Sequence, residues 1–343
     1  MKTAFITGVT GQDGSYLAKY LIDKQYKVYG LVRRTSLDPM TRLDILKIKN
    51  KINFLFCDLS ETSRISDYIQ KIKPDLIFNL GAQSFVTYSY QNPIYTDQIN
   101  NLAVINFLEN IKVHSKKTRF YQASSSEMYG SNIKKEKKLN ENSYFNPISP
   151  YSIAKLSAYH YVRMYRKSYN VYAANGILFN HESPLRGDHF VTKKIIKALV
   201  EIKLGKKQDT LKLGNIYSKR DWGHAADYVK MMYKILKQKK PDDYVISSEK
   251  QYTIKQFVNL VCKKLKIQID WQGKGLKEKA IQKDGKKLIE ISKRLFRPQD
   301  VTYLLGDSSK AKRVLNWKPK QNIDYLIDDM INFELQDKNV NNK

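Results

Sequence analysis

Residues 3–17 read TAFITGVTGQDGSYL, and this stretch decides the fold. The apolar run TAFIT has the length and composition of a buried strand. Glycines follow at positions 8, 11 and 14, and residues 13–24 then carry apolar side chains at helical spacing. A strand that passes through a glycine-rich turn into a helix is the first unit of an α/β protein.

The N-terminal half of the chain repeats this alternation of short apolar runs and longer amphipathic runs. In chain order, the runs after residue 24 are KVYGLV, INFLFC, SRISDYIQKI, DLIFNLG, NNLAVINFLENI and TRFYQASSS. Strands that alternate with helices predict a parallel sheet with helices on both faces, joined by right-handed crossovers. Ligands bind such sheets beyond the carboxyl ends of the strands.

In the second half of the chain, the sequence pattern indicates that the chain leaves this sheet and later returns to it. WGHAADYVKMMYKIL and DDYVIS have the patterns of a helix and a strand that rejoin it. We therefore predict an α/β protein, with a modified Rossmann doubly wound parallel sheet and a smaller C-terminal substrate-binding domain. Residues 1–179, with 221–247 returning, should form the first domain, and residues 180–220 and 248–337 the second.

The three glycines suit a dinucleotide site. Gly8 can adopt backbone angles that a side chain would block, Gly11 lets a pyrophosphate approach closely, and Gly14 lets the helix pack against the strand. A tight turn without a ligand is the competing interpretation, since the spacing is G-x-x-G-x-x-G. The residues expected to hold the dinucleotide here are Gly8, Thr10, Gly11, Gln12, Asp13 and Gly14.

The end of the second predicted strand favours NADP. NAD sites place an acidic side chain there, whereas this chain reads LVRRTS, and Arg33 and Arg34 are suited to a 2′-phosphate. The alternative is that both arginines are merely exposed. Further cofactor contacts are expected just after the third and fourth strands, from Asp58, Leu59, Leu80, Gly81, Ala82 and Ser84.

The segment SPYSIAK begins a long predicted helix and carries a candidate base. Ser149 can cap the helix and Pro150 suits its first position. Tyr151 and Lys155 are four residues apart and share one face. A tyrosine titrates near pH 10, so its pKa must fall by about 3 units for it to act as a base near neutrality. A neighbouring ammonium and a positive nicotinamide ring are natural causes of such a fall.

The segment ASSSEMYG lies at the carboxyl end of the fifth strand and completes a catalytic set. Ser125 is suited to hydrogen-bond the hydroxyl that Tyr151 deprotonates. Glu127 adds a carboxylate that a simple dehydrogenase does not need, which indicates acid/base chemistry such as elimination. The competing interpretation is that Glu127 caps a helix.

The charge of the chain makes anionic partners worth considering. Lys and Arg number 61 against 33 Asp and Glu, a formal charge of +28. The lysines are spread over the whole chain, which favours solvated surfaces over a nucleic-acid stripe or a membrane face. No metal-ligand spacing is present. Cys57 and Cys262 lie in apolar stretches and predict reduced core residues of a cytoplasmic protein, since no stretch resembles a signal peptide or a membrane span.

Five longer segments together resemble one enzyme family. They are GVTGQDGSYL, YQASSSEMYG, SPYSIAK, NGILFNHESPLRGDHFVTKKI and LGNIYSKRDWGHAADYVKMM. They are similar to the GDP-mannose 4,6-dehydratases of the extended short-chain dehydrogenase/reductase superfamily. The similarity runs from about Lys2 to the stretch LGDSSKAKRVLNWKP, which is nearly the whole chain.

The resemblance implies a role for each residue that matches a family motif. Ser125 matches the catalytic Ser/Thr, Glu127 the acid/base, and Tyr151 and Lys155 the Tyr/Lys pair. Further cofactor contacts are implied for Tyr95, His181 and Arg186, and GDP-sugar contacts for Ser84, Ser126, Asn180, Val191, Lys194, Arg220, Arg297 and Asp300. The implied reaction converts GDP-mannose to the 4-keto-6-deoxy sugar by an internal NADP-dependent hydride cycle.

Two segments depart from the family pattern and leave alternatives open. RRTSLDPMTRLDILK differs in a loop that helps the family's tetramers assemble, so a homo-oligomer is expected as either a dimer or a tetramer. QSFVTYSYQNP, expected near the sugar, leaves GDP-manno-heptose as an alternative substrate. A GDP-4-keto-sugar reductase, a sugar epimerase and a basic nucleic-acid binder are weaker alternatives, because none of them requires Glu127.

Overall fold

The structure is a computed structural model that describes residues 1–130, 138–206, 209–296, 299, 301 and 303–340, with the backbone alone at 338–340. Its strands are β1 (Thr3–Thr7), β2 (Lys27–Val32), β3 (Ile52–Phe56), β4 (Leu76–Asn79), β5 (Arg119–Ser125), β6 (Ala173–Leu178), β7 (His181–Glu182), β8 (Leu211–Leu213), β9 (Lys219–Asp221), β10 (Gly223–His224), β11 (Tyr244–Ile246), β12 (Gln251–Thr253), β13 (Ile269–Gln272), β14 (Lys279–Gln282) and β15 (Lys287–Ile291).

The α-helices alternate with the strands through the first half of the chain. They are α1 (Gln12–Asp23), α2 (Thr41–Ile45), α3 (Thr62–Ile72), α4 (Val86–Gln91), α5 (Pro93–Asp97), α6 (Ala103–His114), α7 (Pro150–Ser168), α8 (Val191–Lys203), α9 (Ala225–Leu236), α10 (Ile254–Lys264), α11 (Ser309–Leu315) and α12 (Ile323–Val340). A π-helical turn, Gln98–Leu102, joins α5 to α6, where the sequence predicted one uninterrupted helix.

A seven-stranded sheet in the order β11-β6-β5-β4-β1-β2-β3 forms the centre of the molecule. All of its pairings are parallel. The chain winds outward from β1 in one direction through β2 and β3, and in the other through β4, β5 and β6. This confirms the predicted doubly wound sheet and places its topological switch point between β1 and β4, where such folds bind ligands.

Apolar cores cover both faces of this sheet. On one face α1 and α9 bury residues such as Leu17 and Met231, and on the other α3, α6 and α7 bury residues such as Ile65, Phe107 and Val162. Strands that are covered on both faces read as nearly continuous apolar runs, which is why TAFIT and LIFN lack an alternating pattern.

A separate apolar core lies among α8, α10, α12 and a four-stranded sheet in the order β13-β14-β15-β8. The chain leaves the central sheet after β6, and α9 and β11 rejoin it, as WGHAADYVKMMYKIL and DDYVIS predicted. The boundaries that we placed at residues 179, 220 and 247 stay a prediction.

Both cysteines lie in these cores as free thiols: Cys57 is 3% exposed and Cys262 is 2% exposed. Within the part of the chain that the structure describes, no helix is long and apolar enough to cross a membrane.

Candidate active site

A cavity of about 440 Å³ opens at the carboxyl ends of the central strands. Leu80 follows β4, Ser125 ends β5 and Asn180 follows β6, and all three line this cavity. The predicted residues that line it are Asp13, Leu80, Ala82, Ser84, Ser125, Ser126, Glu127, Tyr151, Lys155, Asn180, His181, Arg186, Val191, Lys194 and Arg220. Most of the candidate site therefore converges on one cavity.

Helix α7 delivers Tyr151 and Lys155 to this cavity. Its N-terminus is held by a capping box, in which the Ser149 hydroxyl accepts from the Ser152 backbone N–H and the Ser152 hydroxyl accepts from that of Ser149. Pro150 occupies the first turn, as the sequence predicted. The cap fixes where the helix begins, and Tyr151 stands in that first turn.

Lys155 is an almost fully buried cation beside the tyrosine. Its side chain is 3% exposed, its Nζ donates to the Ala123 carbonyl at 2.9 Å, and Nζ lies 5.9 Å from the centre of the Tyr151 ring. Burial lowers the pKa of Lys155 to about 8. The ammonium is close enough to stabilise a phenolate on Tyr151 electrostatically.

The pKa of Tyr151 differs from the sequence expectation. Burial raises it to about 12, although a hydrogen bond with Ser125 opposes the rise. The sequence predicted a fall of about 3 units from the ordinary value near 10. The carboxylate of Glu127 adds to the rise, because like charges disfavour a phenolate. The protein side chains alone therefore do not make Tyr151 a base at neutral pH.

Glu127 stands in the short 3₁₀ turn Ser126–Tyr129 that follows β5. The Ser125 hydroxyl caps this turn by accepting from the Glu127 backbone N–H at 3.2 Å. The cap of this 3₁₀ turn is therefore the Ser125 hydroxyl. The Glu127 side chain lines the cavity together with Ser125 and Tyr151.

The glycine-rich turn has the geometry of a cradle for a pyrophosphate. Gly8 has a φ of +66°, and a Cβ there would lie 2.9 Å from the Gly81 Cα. A Cβ on Gly14 would lie 2.1 Å from the Gly8 carbonyl oxygen, so the helix can pack on the strand only without one. A Cβ on Gly11 would meet one atom within 4 Å, the Gly8 oxygen, so its outer side is open. No side chain caps α1 at Gly11, which leaves its N-terminal N–H groups directed at this opening.

The first turn of α1 is tied to the segment after β6 by buried polar contacts. The His181 Nε2 lies 2.7 Å from the Asp13 Oδ2, and the Gln12 Nε2 donates to the His181 carbonyl at 3.1 Å. Burial opposes a charge on His181, but the Asp13 carboxylate prevails and raises its pKa. The Ser183 hydroxyl also donates to the Gln12 Oε1 at 2.8 Å. Gln12 thus serves as a link between segments.

Arg33 and Arg34 line a second cavity, together with Val32, Thr35 and Phe56. Both arginine side chains are exposed at the carboxyl end of β2, which fits a 2′-phosphate site and equally fits the alternative that they are merely exposed. The Arg33 guanidinium donates to the Tyr95 hydroxyl at 3.2 Å. Nine predicted cofactor residues line neither cavity, namely Gly8, Thr10, Gly11, Gln12, Gly14, Asp58, Leu59, Gly81 and Tyr95.

The side of the cavity that faces the second core carries several cations, and we call it the basic side. It is formed by Lys194, Lys212, Arg220 and Arg294. Lys194 donates to the Lys212 carbonyl at 2.8 Å, and Arg220 is 8% exposed. The Oδ1 of Asn180, another predicted substrate contact, is buried without a hydrogen-bond partner in the structure. The predicted residues Arg297 and Asp300 lie outside the described residues.

Sequence reasoning missed several residues that line the cavity. Lys212 is the middle residue of β8, and Arg294 and Phe296 belong to the short 3₁₀ turn Lys293–Leu295 and its flank. His189 also lines the cavity, and its ring contacts Phe85 with centroids 5.1 Å apart. The sequence signal that could have indicated Arg294 is its position just after β15, the last strand of the second sheet.

The segment that departs from the family pattern does contribute to the cavity. Phe85 and Thr87 line it, and Phe85 retains 42% exposure. Tyr88 does not line it and is 41% exposed. The side of the cavity formed by Ser125, Glu127, Tyr151, Lys155 and residues 82–87 is called the catalytic side below.

Solved structures with the same fold share the whole architecture of the chain. The dTDP-glucose 4,6-dehydratase of Bacillus anthracis, solved in complex with NAD, has a TM-score of 0.81 at 19% identity, covering 99% of this chain and 98% of that one. RMD from Pseudomonas aeruginosa, solved with NADPH, has a TM-score of 0.75 at 19% identity, covering 98% of this chain and 100% of that one.

Sequence comparison gives a closer relationship. The family model described as GDP-mannose 4,6 dehydratase matches residues 5–330. The GDP-mannose 4,6-dehydratase of Yersinia enterocolitica is 44% identical over 98% of this chain and 94% of its own length, and that of Drosophila melanogaster is 42% identical over 98% and 86%. With the resemblance of its motifs thus confirmed over almost its full length, this chain belongs to the GDP-mannose 4,6-dehydratase family.

Proposed function

We propose that this enzyme converts GDP-mannose to GDP-4-keto-6-deoxymannose. The observation that carries the proposal is the meeting of Ser125, Glu127, Tyr151 and Lys155 in one cavity that also has a basic side. These four side chains supply the acid/base groups of a dehydration. The cations suit the diphosphate of a GDP-sugar, because lysine and arginine bind phosphate oxygens through charge-assisted hydrogen bonds.

A nicotinamide cofactor, when bound, would supply the hydride chemistry of this reaction at C4 and C6 of the sugar. The first task of the protein is to remove the proton of the 4-hydroxyl, which falls to Tyr151. Burial holds the pKa of Tyr151 high, so positive charge near its oxygen is needed to bring that pKa down. The buried ammonium of Lys155 is the protein's contribution to that charge.

Glu127 performs the elimination. Once C4 is a ketone, the proton on C5 is acidic, and the Glu127 carboxylate removes it. The hydroxyl on C6 then leaves as water, protonated by Glu127 or through Ser125. The proton taken from C5 thus departs with the leaving water. The proton that Tyr151 took from the 4-hydroxyl is then available to return to C5 when C6 accepts the hydride, so the whole cycle balances.

We propose NADP as the cofactor. Arg33 and Arg34 stand at the end of β2, where an NAD enzyme would carry an acidic residue, and both line the second cavity. The open side of Gly11 and the uncapped N-terminus of α1 suit the pyrophosphate of either cofactor. The choice between them therefore depends on the two arginines. The remaining predicted cofactor and substrate contacts are proposed on the same basis.

The cellular setting is proposed from weaker observations. Two buried free thiols fit a reducing compartment, and we propose the cytoplasm. The family resemblance supports a homo-oligomer, as a dimer or a tetramer.

Incubation with GDP-mannose and NADP, without added reductant, tests the function. The expected result is a product that is lighter by one water, with NADP unchanged at the end. A requirement for stoichiometric NADPH would instead indicate a GDP-4-keto-sugar reductase. Conversion with no loss of mass would indicate an epimerase, and either result would overturn the proposal.

GDP-manno-heptose is the second candidate substrate. It bears one more carbon beyond C6, and the hydroxyl that leaves is still on C6. The observation that favours keeping it is the position of Phe85 and Thr87, which line the cavity within the segment that departs from the family pattern.

A further inference from the structure

Buried polar side chains form a continuous ladder across three neighbouring strands of the central sheet. Thr7, Asn79 and Gln122 are 0%, 1% and 1% exposed. Thr7 is paired in register with Asn79, and Asn79 with Gln122, so the three side chains lie on the same face. Buried strand positions of this kind normally carry apolar residues, and polar groups there are costly unless they are hydrogen-bonded.

The hydrogen bonds of the ladder run in one direction toward Lys155. The Thr7 hydroxyl donates to the Asn79 Oδ1 at 2.7 Å, and the Asn79 Nδ2 donates to the Gln122 Oε1 at 2.8 Å. The Gln122 Nε2 donates to the Ala123 carbonyl at 3.2 Å. That same carbonyl accepts from the Lys155 Nζ at 2.9 Å.

The other end of the ladder holds the turn that follows β4. The Thr7 oxygen accepts from the backbone N–H groups of Leu80 at 3.0 Å and of Gly81 at 2.8 Å. Gly81 is the residue whose Cα lies against Gly8 in the glycine-rich turn. The ladder thus joins the glycine-rich turn to the carbonyl that receives Lys155.

We propose that Asn79 and Gln122 are positioning residues that hold the Ala123 carbonyl, and through it the Lys155 ammonium, in place for deprotonation of Tyr151. A single carbonyl acceptor leaves an ammonium on a four-carbon stem free to tilt, unless that carbonyl is itself fixed. The Gln122 amide fixes it by donating a second hydrogen bond to the same oxygen, and Asn79 in turn fixes Gln122. The proposal rests on the proposed role of Tyr151 in the dehydratase reaction.

The variants Gln122→Met and Asn79→Leu remove one partner each, and a double variant removes both. Each single change leaves a buried amide without its hydrogen-bond partner, which lowers the stability of the fold. Replacing both partners with apolar groups of similar shape removes most of that loss of stability. We therefore expect the denaturant midpoint to fall in both single variants and to recover in part in the double variant. Additive losses would mean that the two amides do not interact, and would overturn the ladder.

Activity then separates positioning from stability. If the Lys155 ammonium is no longer held in place, the Tyr151 phenolate loses stabilisation. The acid limb of the profile of kcat against pH then moves to higher pH. A shift of about one pH unit gives a roughly tenfold loss of kcat below the limb and little change above it. We expect this shift in Gln122→Met and also in the double variant, with KM for GDP-mannose nearly unchanged. An acid limb that stays at its wild-type position, or that recovers with stability in the double variant, would overturn the proposal.

A second readout does not depend on activity. The rate at which acetic anhydride acetylates Lys155, followed by peptide mass spectrometry, should rise in Gln122→Met and in the double variant. Asn110→Leu is the matched control, because Asn110 is a buried amide on α6, 7% exposed, that bonds Ser66 and not the ladder. Equal labelling of Lys155 in all proteins would count against positioning. Failure of the wild type to dehydrate any GDP-sugar would instead refute the proposed function.

Discussion

The two sides of the cavity are held in place by different kinds of structure. On the catalytic side, Ser125 ends a central strand, and Tyr151 and Lys155 project from a capped helix of five turns, Pro150–Ser168. On the basic side, Lys212 is the middle residue of the three-residue strand β8, and Arg294 lies in a 3₁₀ turn. The catalytic side is thus fixed by buried hydrogen bonds, whereas Lys212 and Arg294, two of the four cations of the basic side, come from short elements.

This difference indicates what each side can do. Acid/base groups must be placed within hydrogen-bond distance of the reacting atoms, which requires rigid support. Diphosphate oxygens accept charge-assisted bonds from several directions, and long side chains can adjust to them. Changes on the catalytic side should therefore lower kcat, and changes on the basic side should raise KM.

The largest expected effect comes from Glu127→Gln. Loss of a positioned acid/base group typically costs about 10²- to 10⁴-fold in rate, so turnover of GDP-mannose should fall by that factor. Binding of NADP and GDP-mannose, measured by calorimetry, should persist because the amide is isosteric. Slow reduction of NADP by the bound sugar should be observable at 340 nm, since Ser125 and Tyr151 remain.

A matched control for this change is Glu141→Gln. The Glu141 carboxylate accepts from the Val245 backbone N–H at 2.7 Å, and its pKa is raised by burial, but it does not line the cavity. Its variant should turn over at the wild-type rate. Near-normal dehydration by the Glu127 variant would remove that residue from the mechanism.

The next effect concerns the second cavity, which lies apart from both sides of the first. Arg33→Ala should weaken NADP by about 10- to 150-fold, the worth of one charged hydrogen bond, and leave NAD binding nearly unchanged. Titration of each cofactor measures this directly. Arg64→Ala is the control, because Arg64 is an exposed arginine paired with Glu61 at 3.6 Å. Equal losses for NADP and NAD would contradict the 2′-phosphate assignment.

A smaller effect tests the basic side. Lys194→Ala should raise KM for GDP-mannose by roughly tenfold, the lower end for a charged hydrogen bond, with kcat within about twofold of wild type. The control is Lys203→Ala, on the exposed face at the end of the same helix. Steady-state kinetics of both variants suffice. A fall in kcat with KM unchanged would contradict the proposal that the basic side acts in binding and the catalytic side in turnover.

The smallest effect concerns the sugar. We expect a higher kcat/KM for GDP-mannose than for GDP-manno-heptose, because one extra carbon in a pocket shifts selectivity by about 1–3 kcal/mol. Phe85→Ala should narrow that difference by opening the cavity beside His189, whereas Tyr88→Ala, outside the cavity, should not. A tenfold preference of the wild type for the heptose would reverse the substrate assignment and leave the elimination chemistry intact.

The sequence was most informative where structure follows from local pattern. The alternating runs predicted the sheet, because strands and helices differ in the spacing of their apolar residues. The helix cap at Ser149 and the glycine-rich turn were also predictable, since each is a contact between residues close in the chain. Tyr151 and Lys155 were placed correctly because a helix fixes the spacing of its own residues.

The remaining features depend on contacts across the fold. Asn79 and Gln122 are 43 residues apart, and only strand pairing brings their amides together. Arg294 reaches the cavity through the placement of a second sheet that periodicity does not specify. The rise in the pKa of Tyr151 comes from burial by neighbouring segments, which no local motif reports.

The late return of β11 to the central sheet affects how the chain is made. All six residues of β6 are buried, and its outer edge pairs with β11, Tyr244–Ile246. Until the ribosome has synthesised those residues, a nascent chain that has completed β6 presents an unpaired, apolar strand edge. Such edges are templates for aggregation. The enzyme should therefore depend on chaperones during translation of the intervening residues, and a fragment that ends near residue 179 should be insoluble.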